Sequence, residues 1–257
     1  MGSIVVVAGI GNGSGTGAAA ARLFASEGYT VALISRGADS LNALVQSIKS
    51  SGGQASAFPV SEYSDHEISS AFSAIEKQFS TPDYSIRAAI FNAAHGVWKP
   101  FLNVTLEDIR ASNQINVESS FAFSRSAILA FQKNTPEASN GAKGTLIFTG
   151  ATASLRGNVV TSVFSAGKFA LRALSQSLAK EFGKQNIHVA HAIIDGGIAT
   201  NNSREDRHTP PSGPVENPDP SSKLSPESIA KSYIYLVRQD QSSWTWELDL
   251  RPAHEKW

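Results

Sequence analysis

The 257-residue sequence contains no cysteine and one methionine. Without thiols, disulfides, thiolate nucleophiles and Cys-based metal sites are excluded. Charge is sparse too. Asp, Glu, Lys and Arg make up 17% of the chain, and 22 basic residues balance 22 acidic ones, so the formal net charge is zero. With no local basic cluster, there is no electrostatic basis for binding nucleic acid or an anionic membrane. No apolar run reaches membrane-spanning length. The opening SIVVVAGIG goes straight into a strand, without the basic start and cleavage site of a signal peptide. These absences lead us to expect a cytoplasmic protein with a small-molecule substrate. The six histidines show no metal-ligand spacing, so no metal site is expected.

Hydrophobic residues account for 41% of the chain, enough for a substantial core. Short apolar runs alternate with helix-like stretches along the whole length. Strands are predicted over 3–9, 30–36, 54–60, 86–94, 144–151, 187–195 and 243–250. Helices are predicted over 17–28, 38–53, 65–80, 105–134, 165–185 and 225–239. The alternation points to an α/β fold, a doubly wound parallel sheet of about seven strands with helices on both faces. The nearly continuous apolar strands agree, because such sheets are covered on both sides. One domain over 1–257 is expected, with no internal repeat. Residues 199–225, rich in Pro, Ser, Asn and charge, break the rhythm. They follow the carboxyl end of a predicted strand and read equally as a substrate lid or a surface loop.

GIGNGSGTGAAA joins the first strand to the first helix. Gly11, Gly15 and Gly17 form a G-x-x-x-G-x-G spacing. It allows a tight turn and lets backbone N–H groups approach a pyrophosphate at a helix N-terminus. Ser14 and Thr16 add hydroxyl donors. The second strand ends in LISRG, with Ser35 and Arg36 where an acid would serve the ribose diol of NAD. A guanidinium beside a hydroxyl suits a 2′-phosphate, so NADP(H) is the expected cofactor.

With these features the chain resembles the short-chain dehydrogenase/reductase family over nearly its full length, and a Rossmann-type fold is implied. Gly11, Gly15 and Gly17 correspond to the family's glycine motif, with Ile10 where Thr is usual. Asn92 and Ala93, in NAA, look like its N-A-G motif. Asn116, in INV, falls on its helix Asn, and Lys168 on its active-site Lys. DGGIAT is similar to P-G-x-x-x-T; it matches at Gly196 and Thr200, spans Ile198, and puts Asp195 where Pro is usual. The resemblance implies cofactor-binding roles for these glycines and for Asn92, Ala93, Lys168, Gly196, Ile198 and Thr200. It also implies pairing of the two long helices between subunits, hence a homodimer or homotetramer.

Two of the family's polar residues are missing. Phe164 stands at the proton-donor Tyr, four residues before Lys168. Ala151, in TGATAS, stands at the Ser that orients a substrate carbonyl. A positioned general acid contributes roughly 10²–10⁴-fold in rate, so an ordinary ketone reductase would be crippled. Three readings follow. The protein reduces an already electrophilic iminium or conjugated substrate; or it carries out a non-redox isomerisation or cyclisation; or it binds NADP without catalysis. Asn116, Lys168 and Asp195 are the catalytic candidates, Asp195 as a carboxylate near a substrate cation. Thr152, Ser162 and His95 are alternatives for the missing acid.

Overall fold

The computed structural model describes residues 2–200 and 220–254. Most of the expected lid, residues 201–219, lies outside the described residues, as does Trp257. The strands are β1 (Gly2–Ala8), β2 (Thr30–Ser35), β3 (Gln54–Pro59), β4 (Tyr84–Phe91), β5 (Gly144–Thr149), β6 (Ile187–Ile194) and β7 (Glu247–Leu250). They form one parallel sheet in the order β3-β2-β1-β4-β5-β6-β7. The order reverses between β1 and β4, and ligands of such sheets bind outside the strand carboxyl ends at that switch.

Period-two alternation divides the core between the two faces. Ile4 and Val6 of β1 join one hydrophobic cluster with α3 (Asp65–Gln78), α5 (Ser119–Gln132) and α6 (Ser162–Phe182). Val5 and Val7 join the other with α1 (Thr16–Ser26), α2 (Ala38–Ser50) and α7 (Pro226–Arg238). Four consecutive alanines, Ala18–Ala21, are buried in α1 and let that helix lie close to the sheet. Its end is set by Gly28, at φ +88°, where Tyr29 N–H reaches back to the Phe24 carbonyl at 3.0 Å.

Two elements depart from expectation. The helix predicted over 105–134 is α4 (Leu106–Asn113), a π-helical turn over Gln114–Glu118, then α5. The turn is centred on Asn116, whose side chain bonds to the His95 loop as well as to Ser112 one turn back. The last strand is confined to Glu247–Leu250. Before it, Trp244 stacks on His188 at 4.9 Å and donates its indole N–H to the Gln239 carbonyl.

Candidate functional site

The glycine loop sits at the switch point and is fixed by close backbone approach. A Cβ on Gly17 would lie 2.1 Å from the Gly9 carbonyl oxygen and 2.9 Å from Asn92 Nδ2. Asn92 donates from Nδ2 to that same carbonyl at 2.7 Å, and its backbone N–H to Ala8 O at 2.9 Å, so the end of β4 is stapled to the loop. A Cβ on Gly9 would meet the Ala93 backbone N at 2.5 Å. Helix α1 then starts from Gly15 with no side-chain cap. Thr16 Oγ1, buried in the first turn, has no hydrogen-bond partner among the described residues. Uncapped N–H groups and an unspent buried hydroxyl at a helix N-terminus fit a phosphate group. Gly11 is exposed on the loop, and Ser14 bonds from Oγ to Asn12 at 2.7 Å. Thr200 closes over the loop, its methyl 3.8 Å from where a Cβ on Gly15 would stand. Ile198 is bridged to Leu224, and Gly196 packs against Pro252.

At the end of β2, Ser35 is buried and Arg36 exposed. The Arg36 guanidinium lies over the Tyr63 ring, 5.6 Å from its centroid, and the Tyr63 hydroxyl reaches Ser35 Oγ at 3.4 Å. Burial raises the Tyr63 pKa, so the phenol is a neutral platform for the guanidinium.

At the carboxyl end of β5, Lys168 is 3% exposed and donates from Nζ to the Thr149 carbonyl at 2.8 Å. Burial lowers its pKa to about 8. The Phe164 ring lies on the same face of α6, 5.8 Å from Nζ, and its other neighbour is Trp98, at 5.1 Å between ring centroids. Asn116 is fully buried. Its Nδ2 donates to His95 O at 2.8 Å and to Ser112 Oγ at 2.9 Å, and its Oδ1 accepts from His95 N–H at 3.2 Å. Gly167 leaves room for it, because a Cβ there would come within 2.8 Å of the Asn116 Cβ. Asn116, His95 and the Lys168 turn of α6 are thus brought together.

Asp195 does not present a free carboxylate. It is 0% exposed, and its oxygens are occupied by the Thr152 hydroxyl and the guanidiniums of Arg251, at 2.8 Å, and Arg156, at 3.5 Å. Of residues 149–154, only Ala151 and Thr152 keep partial exposure. Ser162 is exposed at the first turn of α6. Behind the β5 corner, His191 bonds from Nδ1 to Glu247 at 3.2 Å, and Arg172 grips Glu247 through two contacts of 2.7 and 2.6 Å. Burial lowers the His191 pKa to about 4, so its ring is neutral at pH 7. A Cβ on Gly150 would fall 2.5 Å from His191 Nε2. No group of three or more His, Cys, Asp or Glu placed to hold a metal occurs among the described residues.

Tyr63, Trp98, Arg156 and Arg251 were not singled out as site residues from sequence. Arg156 and Arg251 carry no local motif, and each reaches Asp195 only through the tertiary fold. An Arg two positions beyond Asp249 gives no hint of a partner on the neighbouring strand end.

The profile of the family described as short chain dehydrogenase matches residues 3–211. A 3-oxoacyl-[acyl-carrier-protein] reductase from Bos taurus is 28% identical over 200 residues, 78% of each chain. The crystal structure of a short-chain dehydrogenase from Rhodopseudomonas palustris superposes with a TM-score of 0.76 at 30% identity, covering 97% of this chain and 98% of that one. A short chain dehydrogenase from Burkholderia cenocepacia J2315, in complex with NADP, has the same fold, with a TM-score of 0.78 at 21% identity and 96% of each chain covered. With its parallel sheet, its stapled glycine loop and a profile match over most of its length, the chain belongs to the short chain dehydrogenase family.

Proposed function

We propose that this protein is an NADP(H)-dependent oxidoreductase with a degenerate active site, and that it reduces a small molecule already electrophilic: an iminium ion or a conjugated acceptor. The observation that carries this reading is the Phe164 ring, packed between Trp98 and Lys168. A phenyl ring there has no hydroxyl to donate, and Ala151 offers none on the β5 side. NADP as cofactor is supported by the glycine loop, by Ser35 and Arg36, and by a family structure in complex with NADP.

In this reading Gly11, Gly15, Gly17, Ser14 and Thr16 hold the pyrophosphate at the N-terminus of α1, with Asn92 and Ala93 fixing the loop beneath. Ser35 and Arg36 hold the 2′-phosphate. Gly196, Ile198 and Thr200 form the opposite wall. Lys168 binds the nicotinamide ribose from a position set by the Thr149 carbonyl, and Asn116 holds the α6 turn and the His95 loop in register. Asp195 acts as a positioning residue, because its carboxylate orients the Thr152 hydroxyl. When bound, the reduced nicotinamide supplies a hydride, and an iminium carbon accepts it as the C=N⁺ electron pair passes to nitrogen, with no separate proton consumed. A ketone needs that proton, and without a positioned acid it loses roughly 10²–10⁴-fold in rate.

We further propose a homodimer or homotetramer formed through α5 and α6. Phe121, Leu129 and Phe169 of these helices are exposed, and Phe121 and Leu129 line a groove of about 290 Å³ between them. No helix among the described residues is long and apolar enough to cross a membrane, and we assign the protein to the cytoplasm.

A screen of imines, enones and ketones that follows NADPH absorbance and analyses products tests the reading. NADPH loss with imines or enones, and almost none with ketones, is the expected outcome. Product formed without NADPH loss would make the protein an isomerase or cyclase. Cofactor binding with no product would leave it a binding protein.

A further inference from the structure

We infer that the site selects a flat, apolar cyclic iminium, an imine protonated in solution so that its reacting nitrogen carries an N–H, received by Thr152 Oγ1 at one end and by an apolar rim around Trp98 at the other. This inference rests on the proposed reduction of pre-activated substrates and names their class.

The first half comes from Thr152. A hydroxyl has one proton and two acceptor lone pairs. The Thr152 proton is committed to the Asp195 carboxylate, which can only accept. What Thr152 has left to offer the cleft is acceptor capacity, so it serves a substrate donor and not a carbonyl oxygen. Its placement is suitable. It lies three residues beyond Thr149, whose carbonyl holds the Lys168 ammonium, and it is partly exposed whereas Ala153 and Ser154 are buried. The charges around it balance. Asp195 and Asp249 face Arg156 and Arg251, with Arg251 bonded to both acids. A cationic C=N–H⁺ therefore meets no excess of positive charge from this cluster.

The second half comes from the rim. Trp98 folds over Gly96, where a Cβ would lie 2.0 Å from the indole, and packs against Phe164 with the rings tilted by 40°. In the segments flanking this pair in sequence, Phe101 is 75% exposed, Leu102 92% and Val159 87%. The two loops carrying these residues are joined by Lys99 N–H donating to the Val160 carbonyl at 3.0 Å. Val160 has φ +61°, a left-handed conformation that a β-branched residue adopts only at a cost. That strain is held by the Lys99 bond and by the neighbouring turn, in which Asn158 N–H donates to Thr161 Oγ1 at 2.9 Å. It keeps an apolar edge beside the turn that carries Phe164 and Lys168. The Trp98–Phe164 pair thus adjoins the Lys168 ammonium, and a planar ring system fits against it better than a small polar substrate. Reduction of such an imine by NADPH turns C=N–H⁺ into a neutral CH–N–H amine, with NADP⁺ as co-product, so charge and electrons balance.

The test uses three probes: dihydroisoquinoline, at a pH where it is protonated and carries an N–H, N-methyl-dihydroisoquinolinium, which has no N–H, and protonated pyrroline, which has no fused ring. Calorimetry on the NADP⁺-loaded protein measures binding with no reductant present, and NADPH absorbance measures turnover. Dihydroisoquinoline should bind about ten- to a hundredfold more tightly than its N-methyl analogue. It should also bind at least about tenfold more tightly than pyrroline. Thr152→Val should erase the first preference and Thr152→Ser retain it; Phe101→Ala with Leu102→Ala should weaken the second. Equal binding of the N–H and N-methyl probes, or preferences unmoved by these variants, would overturn the inference even if imines are reduced. The expected binding pattern without any NADPH loss would sink the reductase reading and leave the pocket assignment standing.

Discussion

At the β1–α1 end of the cleft the start of the helix and one buried hydroxyl are uncommitted. Helix α1 begins without a side-chain cap, and Thr16 Oγ1 is buried without a partner among the described residues. At the β5–α6 end they are spent on one another. Lys168 is on Thr149, Asn116 on His95 and Ser112, and Thr152 on an Asp195 already held by two arginines. The first region is built to be completed by a ligand. The second is a finished scaffold that, in the proposed reading, has phenyl and methyl side chains where a proton donor and a carbonyl partner would stand. In the proposed reading dinucleotide binding and carbonyl chemistry are separable in this fold, and each region can be broken independently.

The largest effect is expected at the nucleotide end. Gly17→Ala puts a Cβ against the Gly9 carbonyl, a backbone atom with nowhere to move. Calorimetry should show NADPH affinity falling by more than about a hundredfold, and the overpacking should cost on the order of 3 kcal/mol in thermal unfolding. An unaltered affinity would mean that the loop does not hold the pyrophosphate.

Lys168→Met sharpens the contrast, because binding and stability should move in opposite directions. Losing an ammonium donor should weaken NADPH binding about ten- to a hundredfold. Stability should rise. The Lys168 pKa is depressed from 10.5 to about 8, so the unfolded chain binds the proton more tightly than the folded one. That burial cost is fully present below about pH 8 and is relieved as pH climbs toward 10.5. It amounts to roughly 3 kcal/mol, less what the lost Thr149 bond returns. A higher melting temperature for the cofactor-free variant is the check.

Arg36→Ala should remove most of a ten- to hundredfold preference for NADPH over NADH, a charge-assisted contact worth about 1.5–3 kcal/mol, with NADH affinity nearly unchanged. Equal binding of both nucleotides by the unaltered protein would refute the 2′-phosphate assignment. The smallest effect belongs to His191. Its pKa is lowered from 6.5 to about 4, so stability is lost as pH falls through that window while the unfolded chain takes up the proton. Near pH 5.5 the loss is roughly 1 kcal/mol. In denaturant titrations across that range, His191→Gln should flatten the acid limb.

Much of this was legible because it is local. A glycine loop after an apolar strand, an Arg at the end of the next strand, and Phe164 four residues before Lys168 are read directly from spacing. The parallel sheet followed from alternating apolar runs. What stayed hidden depends on contacts between distant segments. Arg251 reaches Asp195 across adjacent strand ends, Tyr63 supports Arg36 from the far side of β3, and Trp98 meets Phe164 across two loops. The π turn at Asn116 was invisible for the same reason. The helical pattern runs straight through it, and the His95 loop that Asn116 bonds comes from a distant segment. The cost to the reading was Asp195. Its position at a strand end was plain from sequence, but the two guanidiniums that compensate its charge were not.

In the proposed reading this protein holds NADPH without the means to protonate a carbonyl. That reading is tested most directly by offering simple ketones to the unaltered protein once calorimetry has shown it saturated with NADPH, and following the absorbance of the reduced nicotinamide. The account predicts a rate indistinguishable from the protein-free control, and any gain only in Ala151→Ser with Phe164→Tyr, whose NADPH affinity should stay nearly the same. Reduction of simple ketones by the unaltered protein at ordinary enzymatic rates would contradict it, because another residue would then be supplying the proton that Phe164 cannot.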